Sequence, residues 1–89
     1  MKRNRWFHGT NEGGMRDIFK NGFKIGTYFT EDMDYACCFG EYVFVVDYEI
    51  KLKKHQITEQ LSTDVVNKIY NTKLIMKRTK QYNVTHGSE

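Results

Sequence analysis

The 89-residue sequence has no proline, only two cysteines, and no apolar run long enough to cross a bilayer. The absence of proline argues against a proline-rich linker or stalk. Cys37 and Cys38 are adjacent, and neighbouring cysteines rarely bridge each other, so we expect no disulfide framework. The basic N-terminus is not followed by the apolar stretch of a signal peptide. These absences favour a soluble, cytoplasmic protein without membrane partners.

Composition and charge set broad limits on the class of protein. With 39% hydrophobic and 15% aromatic residues, the chain is expected to form one globular domain over residues 1–89. Residues 1–50 carry a net charge of −2 and residues 51–89 carry +5. The basic half could face an acidic partner or nucleic acid, or could be an ordinary solvated surface. The cysteines and histidines lack recognisable metal-ligand spacing, so no metal is expected.

The first half of the chain predicts two strands, each followed by a helix. Residues 5–8 read as a strand, and Thr10 or Asn11 can cap a helix to about Asn21, which Gly22 ends. Residues 27–30 read as a second strand. Thr30 can cap another helix that runs to about residue 39 and stops before Gly40.

The second half predicts a long strand, a third helix and short final strands. Residues 42–53 read as one strand, apolar and buried on both faces at its start. Ser62 can cap a helix to about residue 71, with Leu61 and Val66 packed across its first turn. Residues 73–76 and 80–85 could be strands. The order of elements predicts an α+β class, with a small, mostly antiparallel split sheet and two or three short helices.

Three stretches together carry a resemblance to a known family. They are Trp-Phe-His-Gly-Thr at residues 6–10, Gly-Thr-Tyr-Phe-Thr at residues 26–30 and Asp-Tyr-Ala-Cys-Cys-Phe-Gly at residues 34–40. Their order resembles the NAD⁺-binding signature of the ADP-ribosyltransferases, in the His-Tyr branch that includes the poly(ADP-ribose) polymerases and diphtheria toxin. The resemblance covers roughly residues 5–52. It implies a minimal version of that fold with NAD⁺ as substrate.

The resemblance implies binding roles for the first stretch. His8 would hydrogen-bond the 2′-hydroxyl of the adenosine ribose, and the backbone of Gly9 would hold the nicotinamide carboxamide. Thr10 matches the small hydroxyl residue that usually follows. An isolated histidine is more commonly a packed or surface residue, so the role of His8 depends on its neighbours.

The second and third stretches are implied to surround the nicotinamide. Tyr28 would stack on the cationic ring, an arrangement worth about 0.5–2 kcal/mol. Tyr35 or Phe39 would supply the opposite aromatic face, and both remain open. Ala36 stands where the family has a serine, so one hydrogen bond to the carboxamide is missing. A strand tyrosine alone is ordinarily a packing residue, which is the alternative for Tyr28.

The third signature position is the weakest match. The family places a glutamate at the start of a late strand, where it stabilises the positive charge that develops on the ribose. Gln81 stands at the comparable place and can hydrogen-bond a ribose hydroxyl without supplying a charge. Glu49 could face the cleft only with a different strand register.

The implied function is mono-ADP-ribosylation of an unidentified protein or nucleic-acid acceptor, of a kind that would suit a phage or bacterial effector. A first alternative is a catalytically silent binding module of the same fold. A 2′-phosphotransferase is not supported, because Arg5, Arg16 and Arg78 are too scattered to form a phosphate site. A protein-interaction domain with chance matches also remains open.

Overall fold

The computed structural model describes residues 5–74, which form an α+β arrangement with a split antiparallel sheet. In chain order the elements are β1 (Trp6–Thr10), α1 (Glu12–Asn21), α2 (Met33–Cys37), β2 (Tyr42–Val46), β3 (Leu52–Lys53), β4 (Gln56–Ile57), a 3-10 helix (Thr63–Val65) and β5 (Val66–Asn71). One sheet has the strand order β1-β2-β5 and the other pairs β3 with β4. The predicted fold class is confirmed.

The central strand β2 is buried from both sides, as its apolar sequence predicts. Val43, Phe44, Val45 and Val46 are all buried. Phe44 and Val46 belong to the main core, together with Ile18 of α1 and with residues that precede α2 and follow β3. Val43 lies opposite Gly9 in the register of β1 and β2. The side chains of β2 therefore alternate between two packed faces of the sheet.

Helix α1 forms as the sequence predicts. The side chain of Asn11 accepts a hydrogen bond of 2.8 Å from the backbone N–H of Gly14 and so caps the helix. Gly22 has a φ of 76°, and its N–H donates to the carbonyl oxygen of Ile18 at 2.7 Å. Phe23 follows and is fully buried. Both predicted ends of this helix are confirmed.

Helix α2 is shorter than predicted and begins at a different cap. The carboxylate of Asp32, rather than the hydroxyl of Thr30, accepts from the first-turn N–H groups of Asp34 and Tyr35. Thr30 instead accepts from the N–H of Asp32 at 3.1 Å. The helix ends at Cys37, so Phe39 lies just beyond it.

The predicted long strand over residues 42–53 is wrong. Strand β2 ends at Val46, beside an irregularity in its pairing with β5, and the chain then leaves the first sheet. After an irregular segment it enters β3, which forms a hairpin with β4 in the second sheet. Residues 27–30 form an extended segment rather than a regular strand. Thr30 bridges Phe7 of β1, and Tyr28 bridges Gln56 of β4, so this segment links the two sheets.

The predicted third helix over residues 62–71 is also wrong. Ser62 does act as a cap, accepting from the N–H of Asp64, but only of the short 3-10 helix. The chain then becomes β5, which pairs antiparallel with β2. Residues 72–74 adopt a helical turn rather than a strand. The remainder of the predicted strand 73–76 and all of 80–85 lie outside the described residues.

Among residues 5–74, none of the helices has the length and apolar character that crossing a bilayer requires.

Candidate functional site

A cavity of about 520 Å³ lies where the edge of β1, the segment 27–30, helix α2 and the β3–β4 hairpin meet. Five of the sequence-predicted site residues line it: His8, Gly9, Tyr28, Tyr35 and Phe39. Of the other lining residues, only His55 lies outside the three stretches that carry the resemblance. We call this space the aromatic cavity. A concave, mostly apolar surface with a few polar groups is typical of small-molecule sites.

The ring of His8 is anchored between the core and the aromatic cavity. Its centroid lies 5.8 Å from that of Phe23 and 5.6 Å from that of Phe29. Its Nδ1 lies 2.7 Å from the carbonyl oxygen of Tyr28, and because a carbonyl only accepts, Nδ1 must carry the proton. In the neutral ring, Nε2 is then a hydrogen-bond acceptor.

The surroundings of His8 favour that neutral form. Burial lowers the pKa of His8, since the charged ring would lose its hydration, and the hydrogen bond to the carbonyl of Tyr28 opposes this effect in part. A neutral imidazole with a fixed tautomer can accept a hydrogen bond from a ligand hydroxyl.

Gly9 presents its backbone toward the aromatic cavity. Phe7, two residues earlier, exchanges hydrogen bonds with Thr30 on the outer edge of β1, at 2.7 Å and 2.9 Å. Because backbone groups alternate along a strand, the N–H and C=O of Gly9 point the same way, away from β2. Within residues 5–74, neither group has a backbone partner on that edge. Gly9 therefore offers an open donor and acceptor side by side.

The absence of a side chain at Gly9 is a steric requirement. A Cβ placed there would collide with the carbonyl oxygen of Ala36 in α2. Ala36 is 1% exposed and also lines the aromatic cavity. The close approach of α2 to β1 thus accounts structurally for the glycine, and it brings the helix that carries Tyr35 next to Gly9.

Three large aromatic side chains around the aromatic cavity are exposed. Tyr28 is 62% exposed, and Tyr35 and Phe39 are each 57% exposed. The rings of Tyr35 and Phe39 pack edge to face, with centroids 5.1 Å apart. Aromatic side chains that could bury far more area in a core are here left open beside a concavity. Exposed aromatic rings of this kind can stack on a flat ligand ring.

Thr10 and the alternative residue Glu49 lie away from the aromatic cavity. Thr10 does not line the aromatic cavity; it pairs with Tyr42 of β2, and its hydroxyl lies against Gly14 of α1. Glu49 lines a separate groove beside Tyr48. Gln81 is outside the described residues, so the third signature position has no placement.

His55 is the cavity residue that the sequence did not reveal. It lies in the turn of the β3–β4 hairpin with a φ of 68°, and its carbonyl oxygen accepts from the N–H of Phe29 at 2.8 Å. Hairpin turns of this kind are usually signalled by Asn-Gly or a similar pair. Lys54 and His55 give no such signal, so the sequence predicts a strand that ends at about residue 53 and no hairpin after it.

The ionisable groups of the site are few. Within residues 5–74, the lining of the aromatic cavity contains no carboxylate and no Lys or Arg side chain. In the same part of the chain, no group of three or more His, Cys, Asp or Glu side chains is arranged to hold a metal ion. The chemistry of the described site is therefore that of aromatic faces, an open backbone edge and a neutral imidazole.

Comparison with known proteins adds no assignment. The chain matches no protein-family model, no curated protein and no solved structure.

Proposed function

We propose that this protein binds NAD⁺ in the aromatic cavity and transfers one ADP-ribose unit to a macromolecular acceptor. The observation that carries the proposal is the convergence of His8, Gly9 and Tyr28 on one cavity. The hydrogen bond between His8 and Tyr28 and the open backbone of Gly9 support the proposal.

Each group supplies a different part of the proposed recognition. The N–H and C=O of Gly9 are complementary to the C=O and NH₂ of the nicotinamide carboxamide. Tyr28 and either Tyr35 or Phe39 offer electron-rich faces to the cationic pyridinium ring. Nε2 of His8 can accept from a ribose hydroxyl. The side chain of Ala36 cannot hydrogen-bond the carboxamide. The nicotinamide ring would therefore be held mainly by stacking and by the backbone of Gly9.

The proposed reaction breaks the bond between C1′ of the ribose and the nicotinamide nitrogen. The electron pair of that bond leaves with nicotinamide, which becomes neutral. A nucleophile of the acceptor forms the new bond to C1′ and loses its proton to solvent or to a nearby base. The protein's part is to orient the dinucleotide and to stabilise the positive charge on the ribose.

The ability to stabilise the positive charge on the ribose distinguishes an active transferase from the catalytically silent alternative. Within residues 5–74 no carboxylate lines the aromatic cavity, so an anionic group would have to come from another part of the chain or from the acceptor. Substituting Gln81→Glu tests the sequence-based prediction for the third position. If Gln81 occupies it, the added charge raises NAD⁺ hydrolysis; if hydrolysis stays at the background rate, Gln81 is not the third residue.

Binding and transfer can be measured separately. NAD⁺ at a hundredfold excess over its Kd should stabilise the folded chain by about 2.7 kcal/mol, read as a thermal shift. No response to millimolar NAD⁺, nicotinamide or ADP-ribose would refute the proposal in both its forms. Incubation with NAD⁺ labelled in the adenosine, alongside candidate proteins and oligonucleotides, then identifies the acceptor. Binding without any labelled acceptor or hydrolysis would favour the silent module.

A further inference from the structure

The β3–β4 hairpin extends the aromatic cavity on its solvent side. Tyr28 bridges Gln56, and Gln56 lies opposite Lys53 in the hairpin register. Residues directly opposite in antiparallel pairs project to the same face, so these three side chains form a row. Two strand spacings, about 10 Å, separate Tyr28 from Lys53. On the other face of the hairpin, Leu52 and Ile57 pack into the core, which fixes the orientation of the row.

The hairpin carries positive charge that the described structure leaves uncompensated. Lys53 and Lys54 are exposed, and neither forms an ion pair with any carboxylate of residues 5–74. Lys51 precedes Lys53 by two residues in the chain and is also exposed. Helix α2, which also borders the aromatic cavity, has acidic residues at its start: Glu31, Asp32 and Asp34. A ligand with an anionic end would be attracted toward the hairpin and repelled from α2.

The turn of the hairpin holds two bulky residues in an unfavourable backbone region. Lys54 has a φ of 52° and His55 a φ of 68°, the pattern of a type I′ turn that Asn and Gly usually fill. The left-handed region disfavours residues that have a Cβ. Retaining Lys and His there costs stability, and such outliers are concentrated at functional sites. The turn sets Lys54 beside His55, which itself lines the aromatic cavity.

We infer that the hairpin binds the diphosphate of a nucleotide whose ring occupies the aromatic cavity, with Lys53 and Lys54 as its cationic partners. The cavity lining within residues 5–74 contains no Lys or Arg, so the two negative charges of such a ligand find no cation inside it. The flexible stem of a lysine can reach back toward Tyr28 from either position. The inference rests on the proposed function for the identity of the ring, but phosphate binding at the hairpin can be tested without it.

The test measures binding of matched ligands by calorimetry on the full chain. ADP is compared with adenosine, and nicotinamide mononucleotide with nicotinamide riboside, so each pair differs in phosphate alone. We expect the phosphorylated member to bind more tightly in each pair. The double substitution Lys53→Gln, Lys54→Gln should weaken the binding of ADP by about tenfold and leave the affinity for adenosine unchanged. Lys20→Gln, an exposed lysine at the end of α1, is the matched control and should leave ADP binding unaltered.

A second variant separates binding from folding. Replacing the turn by Lys54→Asn, His55→Gly supplies residues that favour a type I′ turn, so the melting temperature should rise while ADP affinity falls. ADP affinity that is unchanged in both hairpin variants would overturn the inference. A single-stranded oligonucleotide that binds more tightly than ADP, and is released by the same substitutions, would also overturn it by making a phosphodiester the ligand.

The outcomes for the hairpin and for the proposed function are distinguishable. If NAD⁺ and nicotinamide fail to bind but ADP binds through Lys53 and Lys54, the hairpin inference stands and the NAD⁺ proposal falls. If NAD⁺ binds equally to the native chain and to the hairpin variants, the NAD⁺ proposal stands and the hairpin inference falls.

Discussion

The Nδ1 atom of His8 lies 2.7 Å from the main-chain oxygen of Tyr28, so one hydrogen bond joins two residues that are twenty positions apart. The bond fixes the tautomer of the imidazole and holds the segment 27–30 against β1. The backbone of Tyr28 is thus tied to the fold, while its side chain is 62% exposed beside the aromatic cavity. The tyrosine ring is available for a ligand without being needed by the core.

This separation leads to a first prediction. Tyr28→Ala should weaken NAD⁺ binding by roughly 0.5–2 kcal/mol, the range of a cation–π contact, with little loss of folding stability. Binding is measured by calorimetry and stability by urea denaturation. Tyr48→Ala is the matched control, because Tyr48 is 54% exposed and lines a different groove. Equal losses of affinity in the two variants, or an unfolded Tyr28→Ala protein, would contradict the prediction and indicate that Tyr28 is a packing residue.

A second prediction concerns the glycine at the strand edge. Gly9→Ala should destabilise the fold by about 1–3 kcal/mol, because the new methyl group would push against the carbonyl of Ala36. NAD⁺ binding should fall as well, since α2 must move. Gly13→Ala in α1 is the control, because a Cβ added there would lie 3.6 Å from Oδ1 of Asn11, an ordinary contact distance. Replacing a helical glycine by alanine should stabilise the fold by about 0.5–1 kcal/mol. Urea denaturation of both variants checks the contrast, and a neutral Gly9→Ala would contradict the close packing.

A third prediction uses the residue that departs from the resembled signature. Ala36→Ser adds a hydroxyl at the wall of the aromatic cavity, where the resemblance places a partner of the carboxamide. The gain in nicotinamide affinity should be about 0.5–1.5 kcal/mol, the usual net contribution of one hydrogen bond. Competition between nicotinamide and benzene-like analogues without the amide shows whether the gain depends on the carboxamide. An equal gain for both ligands would place the hydroxyl away from the amide.

A fourth prediction follows from the lowered pKa of His8. The unfolded chain takes up a proton at this residue near pH 6.5, while the buried ring in the folded protein resists protonation to lower pH. The stabilisation associated with the neutral ring is therefore complete above about pH 6.5 and is lost as the pH falls toward the lowered pKa. The slope from this one group cannot exceed about 1.4 kcal/mol per pH unit.

The His8→Gln variant isolates that effect. Urea denaturation of the native chain and of the variant at pH 7.5 and pH 5.5 should show a larger loss of stability in the native chain. Other titrating groups are common to both proteins and cancel in the comparison. Parallel pH profiles would mean that the environment of His8 does not disfavour its charged form.

Local signals predicted some elements well and failed where distant pairing decided the structure. Asn11 and Gly22 mark the ends of α1 because capping and a positive φ depend on a few neighbouring residues. The same local logic identified the cap at Ser62 but overestimated the helix after it. Pairing with β2 drew residues 66–71 into a strand, and Val66 and Ile69 suit a strand as well as a helix.

The candidate site was predicted in part for a related reason. His8, Gly9 and Tyr28 were recognisable because each belongs to a compact motif, and the structure brings them to one cavity. His55 was not recognisable, since its position depends on a hairpin whose turn lacks the usual residues. Thr10 was predicted as the small hydroxyl residue that follows Gly9, but its hydroxyl lies against Gly14 of α1 instead.

The extended segment 27–30 has a consequence for the way the molecule opens. The N–H of Phe29 is bonded to the carbonyl of His55, and the N–H of Thr30 to the carbonyl of Phe7, so consecutive amides are bonded to different sheets. Deuterium uptake at these two amides therefore reports two separate events: separation of the segment 27–30 from the β3–β4 hairpin, and its separation from β1. A ligand that spans both walls should slow exchange at Phe29 and Thr30 together, whereas one seated on a single wall should slow exchange at one of them alone.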